Sequence, residues 1–313
     1  MMRLLLRRLG IALPTLLLVS MMVFGLQKLL PGDPALALAG EERNPEVVEY
    51  LRAKYHFNDP IPVQYAAWLR DLLRGDFGTS IRTRLSIGTM LAEKLPVTLE
   101  LAVLSMLIAV LVGVPTGILA ALRRGTWIDY GTSIFGLAGL SIPSFWLGIM
   151  LILGLSVHLG WLPAGGFVPP SQSLWGNLQS MLMPAFVLGI GTAAILMRHT
   201  RGAMIAALKQ DYVRTARAKG VTQWKIVVRH ALPNAPIPVV TLATLQFGEL
   251  LAGAVLTEQV FSIPGFGKMI VDGVFSRDYA VVQAVVLVTA AFFLLTSLVA
   301  DAAYMVLNPK LRT

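Results

Sequence analysis

The sequence predicts an all-α, polytopic membrane protein with about six transmembrane helices. Of its 313 residues, 56% are hydrophobic and only 14% are charged, whereas a soluble domain carries roughly 25% charged residues. The mean hydropathy is +0.70, and the uncharged residues form long unbroken tracts. A helix needs about 20 apolar residues to cross the hydrocarbon core of a bilayer. We therefore predict one transmembrane domain over residues 1–313 and not a soluble enzyme.

Six tracts are long and apolar enough to cross a bilayer. The first two contain no Asp, Glu, Lys or Arg. The next such stretch, Tyr130–Met197, is too long for one helix, and a Pro- and Gly-rich part at 163–170 marks a loop within it. The span before this loop is itself over-long, so we expect it to be tilted or broken near Pro143. The predicted spans are about Gly10–Gln27, Leu101–Leu122, Tyr130–Trp161, Met181–Met197, Ala235–Phe261 and Ala280–Ala300.

Two glycines in the second predicted span favour close packing of helices. Gly113 and Gly117 lie four residues apart, on one face of a helix. Membrane helices approach each other closely where small residues at this spacing form the contact. We expect another helix to pack against this face.

Lysine and arginine gather in four parts of the chain that share one side of a six-span protein. These parts contain almost no acidic residues, and short loops rich in Lys and Arg face the cytoplasm. We therefore expect both termini to be cytoplasmic. The net charge of +9 is explained by this bias, so it does not indicate nucleic acid as a partner. The four parts are residues 1–9, 123–124, 198–229 and 310–312.

Residues 31–96 form the long predicted loop on the opposite side of the membrane, where eight basic residues balance nine acidic ones. Asn44–Tyr55 has a helical composition, with Pro45 suited to the first turn. A second helix is expected around Val63–Leu73. We predict a small ordered cap outside the membrane, and a solvated hairpin is the alternative.

The segment Asp211–Asn234 predicts two short helices that lie outside the bilayer. Asp211 suits the N-cap of the first helix, and Gly220 suits the left-handed position that follows its end. Thr222 can cap the second helix, and Pro233 is expected to stop it. The whole cytoplasmic loop that contains these helices is predicted over residues 198–234.

One face of the first short helix is small enough to admit a partner. Ala216 and Gly220 are four residues apart and share a face, and Tyr212 stands one turn earlier as an aromatic anchor. The alternative is an amphipathic helix on anionic lipid, which Arg214 and Arg217 would suit. The physical argument leaves both interpretations open.

This segment resembles the cytoplasmic loop of ABC importer permeases, whose pattern is Glu-Ala-Ala, three residues, Gly, nine residues and then Ile-x-Leu-Pro. With Gly220 aligned, Arg214-Thr215-Ala216 takes the place of Glu-Ala-Ala, and His230-Ala231-Leu232-Pro233 takes the place of Ile-x-Leu-Pro. Arg214 and His230 depart from the pattern, and the Arg-Thr-Ala form is similar to the peptide/nickel branch of the family. The resemblance implies coupling to ATPase subunits through Tyr212, Arg214, Thr215, Ala216, Gly220, Leu232 and Pro233.

Further motifs along nearly the whole chain resemble the same branch. Three lie in the predicted outer loop, and the others lie near the fifth and sixth spans. They are Leu30–Pro34, Gln64-Tyr65 with Trp68-Leu69, Gly75–Ser80, Glu258–Phe261 with Pro264-Gly265 and Gly267, Arg277–Tyr279, and Pro309.

The resemblance implies a multi-pass permease subunit of an ATP-driven ABC importer in a bacterial inner membrane. It also implies the partners, which are a second homologous permease subunit, two ATPase subunits, an extracytoplasmic substrate-binding protein and membrane lipid. ATP and magnesium would bind in the ATPase subunits, and this chain would hold no cofactor, metal or catalytic residue. The expected cargo is a dipeptide or oligopeptide, and a nickel chelate or glutathione is the alternative.

Other classes of function find little support in the residues. Gly265–Lys268 looks like part of a phosphate-binding loop, but that motif needs Gly where Ser262 stands and Ser or Thr where Met269 stands. An ion-coupled secondary transporter is the alternative from another class. It needs coupling acids at mid-membrane and often shows two related halves, whereas this sequence has no convincing repeat and one acid well inside a predicted span.

That acid, Glu249, lies about 14 residues, or roughly 21 Å of helix, into the fifth predicted span. A carboxylate inside a bilayer is costly unless it is paired, protonated or facing water. Gln246 stands three residues earlier on the same face. Two interpretations remain open: Glu249 ties helices or subunits together, or it lines the translocation path with Gln246 and attracts the amino group of a peptide.

Overall fold

The computed structural model describes residues 2–29, 35–36, 44–54, 58–232 and 236–307. In these ranges the regular elements are all helical, as predicted. Pro233 and the motif residues Leu30–Pro34 and Pro309 lie outside the described residues. The helices are α1 (Met2–Leu29), α2 (Pro45–Lys54), α3 (Ile61–Leu73), α4 (Ile87–Leu122), α5 (Trp127–Ser141), α6 (Ser144–Leu151), α7 (Leu174–Leu208), α8 (Asp211–Ala218), α9 (Gln223–Ile226), α10 (Pro236–Val260), α11 (Phe266–Phe275) and α12 (Tyr279–Leu307). Two π-helical segments, Ile152–His158 and Val227–Ala231, follow α6 and α9.

The described helices account for four to six membrane spans. Parts of α1 and α12, together with the whole of α4 and α7, are each long and apolar enough to cross a bilayer. Two bent pairs pass the same test: α5 with α6 and its π-helical continuation, bent by 98°, and the two parts of α10, bent by 47°. When each bent pair is counted as one span, the total is the predicted six.

The bend between α5 and α6 falls at Pro143, where a break was predicted. Helix α5 ends at Ser141, and both Ile142 and Pro143 are extended, with ψ of 121° and 131°. Proline lacks the backbone N–H that a continuing helix needs, and its ring disfavours the helical conformation of the residue before it. The over-long third span is therefore two helices joined at a proline.

Several helices run past the ends that charge alone predicted. Helix α4 begins at Ile87 rather than near Leu101. Helix α7 runs from Leu174 to Leu208 rather than from Met181 to Met197, so residues 198–208 of the predicted cytoplasmic loop continue this helix. A charged side chain marks the end of the part of a helix that is favourable in lipid. The helix itself can continue into water, because its backbone hydrogen bonds do not depend on the side chains.

The chain divides into two compact units. The larger comprises residues 1–6, 97–268 and 292–313, and the smaller comprises residues 7–96 and 269–291. Residues 211–232 and the recess described below both lie in the larger unit.

In the smaller unit, an aromatic cluster joins α3 to α1. The ring centroids of Phe24 and Tyr65 are 5.5 Å apart, and those of Phe24 and Trp68 are 5.4 Å apart. The hydroxyls of Ser20 and Tyr65 are hydrogen-bonded at 2.7 Å. The Tyr65 and Trp68 motif residues therefore fasten one of the two helices predicted for the outer loop, and both helices are present as α2 and α3.

A second contact in the smaller unit joins two motifs that are far apart in the sequence. The hydroxyl of Ser80 donates to Asp278 Oδ2 at 2.5 Å, and the backbone N–H of Arg82 lies 3.4 Å from the same oxygen. The side chains of Ser80 and Asp278 are both buried. The Gly75–Ser80 and Arg277–Tyr279 motifs are thus two halves of one contact.

In the larger unit, α4 and α7 touch through glycines. A Cβ added to Gly113 would lie 2.5 Å from the Ala193 carbonyl oxygen, and one added to Gly117 would lie 2.6 Å from the Met197 carbonyl oxygen. Gly189 of α7 is equally close to the backbone of α4. The close contact predicted for the two glycines of α4 is confirmed, and no side chain fits between these backbones.

The turn that follows α10 is held by a fully buried carboxylate, that of Glu258. It accepts a hydrogen bond from Thr98 Oγ1 at 2.5 Å and one from the backbone N–H of Lys268 at 2.7 Å. Thr98 Oγ1 in turn accepts from the backbone N–H of Phe266 at 2.8 Å. A Cβ on Gly265 would lie 2.3 Å from this carboxylate, which explains why glycine stands there.

We predict that Gly117→Ala destabilises the protein by about 1–3 kcal/mol, because the added methyl group must push two helix backbones apart. The measurement is thermal unfolding of the purified protein in detergent. The matched control is Gly131→Ala on α5, where a Cβ would meet nothing within 4 Å and alanine is the better helix former. Equal melting temperatures for the two variants would contradict the close contact.

We also predict that Glu258→Gln lowers the free energy of unfolding by about 1–3 kcal/mol, because the amide must turn a donor toward one of two buried donors. Glu249→Gln on the same helix removes the same charge from an exposed side chain. That control should change stability by less than about 0.5 kcal/mol. Denaturation of both variants in detergent compares them, and equal stabilities would show that the Glu258 hydrogen bonds do not hold the turn.

Candidate coupling segment and translocation recess

Helix α8 ends in a turn that depends on Gly220. The φ angle of Gly220 is +74°, the left-handed conformation predicted for it. The N–H of Val221 donates to the Ala216 carbonyl at 3.1 Å, and the N–H of Gly220 donates to the Arg217 carbonyl at 3.0 Å. These two bonds are the Schellman arrangement that closes many helices. The turn fixes the angle between α8 and α9.

The two helix starts differ in part from the sequence prediction. The N-cap of α8 is Gln210, and Asp211 is the first helical residue, where its charge lies near the positive end of the helix dipole. Thr222 is the N-cap of α9, as predicted, but its side chain accepts no capping hydrogen bond. Both residues therefore stand at helix starts without the predicted side-chain cap.

Ala216 faces inward, which corrects the expectation that its face is open to a partner. Val213, Ala216 and Ile226 are buried together, and Val221 packs against them. The face of α8 that carries Ala216 is thus buried against α9 and is not available to another protein. Val213 was missed, although it lies three residues before Ala216 and the pair forms the apolar stripe of this short helix.

The exposed side of α8 carries three of the residues that the motif pointed to. Tyr212 is 40% exposed, and Arg214 and Thr215 are also exposed. Arg214 approaches Asp211 at 3.5 Å in a fully solvated ion pair. This side offers an aromatic ring, a guanidinium group and a hydroxyl to any protein that docks there.

The coupling segment, which we define as residues 211–232, is seated on the ends of α4 and α7. Val227 and Ala231 are buried against Ala121 of α4 and Met204 of α7. Leu232 packs partly buried against the same cluster. Helix α8 thus packs on α9, and the π-helical segment that follows α9 packs on α4 and α7.

A recess of about 280 Å³ lies between α5, α6, α7 and α10. Its walls are mostly apolar. Gln246 and Thr192 are largely buried in it, whereas Glu249 is exposed. The lining residues with polar side chains are Ser144, Thr192, Gln246 and Glu249. Gln246 and Glu249 thus line one recess, in agreement with their shared helix face.

The proline break shapes one wall of the recess. Ile142 and Ser144, which flank Pro143, both line it, as do Gly139 and Gly191, which have no side chains to fill it. Irregular backbone at membrane depth is tolerated where it is buried in protein or lines a cavity. The break between α5 and α6 therefore lies where a cavity is present.

The two acids of α10 have opposite environments. Glu258 is fully buried and hydrogen-bonded. Within the described ranges, the Glu249 carboxylate makes no hydrogen bond or ion pair, and it opens into the recess. Of the two interpretations left open for Glu249, a tie between helices of this chain is therefore not seen.

Two family models match the sequence. The model described as binding-protein-dependent transport system inner membrane component matches residues 113–313. A second model, for the N-terminal part of such membrane components, matches residues 1–102. Together they cover most of the chain.

Full-length relatives agree with these matches. A protein of Brucella abortus (strain 2308), whose name describes a peptide transport system permease, is 39% identical over 309 residues, which cover 99% of this chain and 98% of that protein. The dipeptide transport system permease protein DppB of Escherichia coli (strain K12) is 38% identical over 336 residues, covering 100% and 99% of the two chains.

Among solved structures, a chain of the MetNI methionine ABC transporter in an inward-facing crystal form resembles this structure with a TM-score of 0.58 at 20% sequence identity. The match covers 70% of this chain and 96% of that chain, so the two share the permease fold. The chain belongs to the family of binding-protein-dependent transport system inner membrane components, the permeases of ABC importers.

Proposed function

We propose that this permease forms the translocation path for dipeptides and oligopeptides delivered by an extracytoplasmic binding protein. As a member of its family it is the membrane component of an ABC system and not the ATPase. The names of two full-length relatives describe peptide and dipeptide transport. The single observation that carries the proposal for the path is the recess, in which one carboxylate without a partner in the described part of the chain stands among mostly apolar walls.

The complete importer contains this chain, a second homologous permease, two ATPase subunits and the binding protein. The family works with a binding protein and an ATPase, and the numbers of subunits come from the resemblance of the coupling segment. ATP and magnesium bind in the ATPase subunits. Energy therefore enters this chain from outside and must be received at its surface.

The receiving surface is the exposed side of α8, with Tyr212, Arg214 and Thr215. The positive-inside bias places the coupling segment in the cytoplasm, where ATP is available. The Gly220 turn and the cluster around Val213 hold α8 rigidly on α9. Because Val227 and Ala231 bed the segment on α4 and α7, docking and release of an ATPase subunit can move the membrane helices.

Glu249 supplies the negative charge that the path offers to its cargo. The protonated amino group of a peptide is attracted to this carboxylate, which no described side chain of the protein pairs with. Gln246, one turn away, can donate to or accept from the peptide group. A nickel chelate with net positive charge would also be attracted to this carboxylate. Glutathione carries two carboxylates beside its amino group, so a negative site suits it less well than a dipeptide.

For coupling, we predict that Gly220→Val leaves the complex in the membrane but separates ATP hydrolysis from transport. A β-branched residue at φ +74° is strained by on the order of 1 kcal/mol or more, so the angle between α8 and α9 changes. The matched control is Gly220→Asn, because asparagine adopts the left-handed conformation more readily. ATP hydrolysis and peptide uptake are measured in proteoliposomes. Normal coupling in the valine variant would remove this turn from the mechanism.

For the path, we predict that Glu249→Gln selectively slows the uptake of a free dipeptide relative to the same dipeptide N-acetylated. The substitution keeps the shape of the side chain and removes its charge, and the acetylated peptide has no amino charge to lose. Glu249→Asp retains the charge and serves as the control. Equal losses for both peptides, together with poor assembly of the complex, would assign Glu249 to a contact with a partner subunit. If Glu249→Gln lowers the uptake of a nickel chelate and leaves the uptake of both peptides unchanged, the cargo is a nickel chelate and not a peptide.

A further inference from the structure

A bidentate ion pair fastens α5 to α7. Arg201 Nε donates to Asp129 Oδ1 at 2.7 Å, and Arg201 Nη2 donates to Asp129 Oδ2 at 2.9 Å. The backbone N–H of Gly125 donates to Oδ2 at 3.0 Å. Asp129 is 6% exposed. Two N–H groups of the planar guanidinium each donate to one carboxylate oxygen, which fixes the relative orientation of the two side chains as well as their distance.

The contribution of such an ion pair to the stability of the fold is a weak reason for its presence. Asp129 is buried, whereas 31% of the Arg201 side chain is exposed. Removing the carboxylate from water costs about as much as the attraction returns, and a well-packed apolar pair often does as well. A bidentate pair does, however, fix the register of the two elements that carry it. The pair therefore points to a positional role for Asp129 and Arg201.

Two close contacts continue the register along both helices. A Cβ on Gly136 would lie 2.3 Å from the methyl group of Met197, and one on Gly139 would lie 3.2 Å from Ala194 Cβ. Residue numbers rise on α5 as they fall on α7, so the helices are antiparallel. With the ion pair, the contacts extend over ten residues of α5, or about 15 Å.

The same two helices lead from the coupling segment to the recess. Helix α7 continues seven residues beyond Arg201 to Leu208 and then enters the coupling segment. In the other direction it supplies the recess wall between Val187 and Ile195, while α5 supplies Gly139 and Leu140. The ion pair thus lies between the two sites, on both helices at once.

We propose that Asp129 and Arg201 are positioning residues that make α5 and α7 move as one piece, so that displacement of the coupling segment reshapes the recess. The proposal rests on the proposed function, in which an ATPase subunit displaces this segment. Without the ion pair, α7 follows the ATPase while α5 and the proline break stay behind. ATP is then hydrolysed without a matching change in the recess.

The first test removes the pair in the complete importer reconstituted in liposomes. Asp129→Asn and Arg201→Gln are each expected to lower the number of dipeptide molecules taken up per ATP hydrolysed by at least about fivefold. Assembly of the complex and ATP hydrolysis are measured on the same samples. The control Arg123→Gln removes the same charge from an exposed side chain on the α4–α5 connection and should leave the ratio unchanged. An unchanged ratio in both pair variants overturns the proposal.

The second test replaces the ion pair with a disulfide. Because the chain contains no cysteine, no native thiol competes with the introduced pair. Cysteines at Gly139 and Ala194 start from a Cβ separation of 3.2 Å, close to the roughly 3.5–4.5 Å of a disulfide. Because Gly139 lines the recess, the oxidised double variant is compared with its own reduced form, and uptake per ATP should be the same in the two states since the helices do not separate. In the Asp129→Asn background, oxidation should raise the ratio to that of the double variant alone, and reduction should lower it again.

The outcomes separate this proposal from the proposed function. Arrest of transport on oxidation, in a double variant that transports when reduced, would show that α5 and α7 separate during the cycle, and would overturn the proposal. The rate at which the Gly139 and Ala194 cysteines form a disulfide can be measured without any peptide. With the ion pair intact, this rate should be the same during ATP hydrolysis as at rest. In the Asp129→Asn protein, the two rates should differ. Equal rates in the Asp129→Asn protein would overturn the positioning role, even if the cargo or the docking surface were other than proposed.

Discussion

The hydrocarbon interior of a bilayer offers no hydrogen-bond partner to a peptide group or a carboxylate, so a membrane helix must satisfy its polar atoms within the protein. The rest of this structure depends on that constraint. Helices α4 and α7 touch backbone to backbone at Gly113 and Gly117, because dispersion forces between close surfaces replace the hydrophobic effect inside lipid. The 98° break at Pro143 occurs where the freed backbone borders a recess.

Three acids on these helices show how the constraint divides structure from function. Glu258 is buried and saturated by donors, and it holds a turn. Asp129 is buried against a guanidinium and aligns two helices. Glu249 is exposed, lines the recess and has no partner among the described residues. Burial and pairing thus distinguish acids that are alike in the sequence.

Features set by local chemistry could be predicted from the sequence. The break at Pro143, the left-handed Gly220 and the close approach at Gly113 each follow from the residue itself or from its neighbours four positions away. The inward turn of Ala216 was missed because it depends on the partner helix α9. Contacts such as Asp129 with Arg201, 72 residues apart, or Thr98 with Glu258, 160 residues apart, leave no periodic signal, and a single sequence cannot pair them.

The Thr98–Glu258 hydrogen bond has a consequence for the synthesis and membrane insertion of the protein. Thr98 leaves the ribosome 160 residues ahead of Glu258, and α4 is among the earlier helices to enter the membrane. The hydroxyl donor is therefore synthesised before the acid with which it will pair. The order of synthesis makes the donor available before the acceptor, so the carboxylate can be satisfied within the protein as soon as the two helices meet.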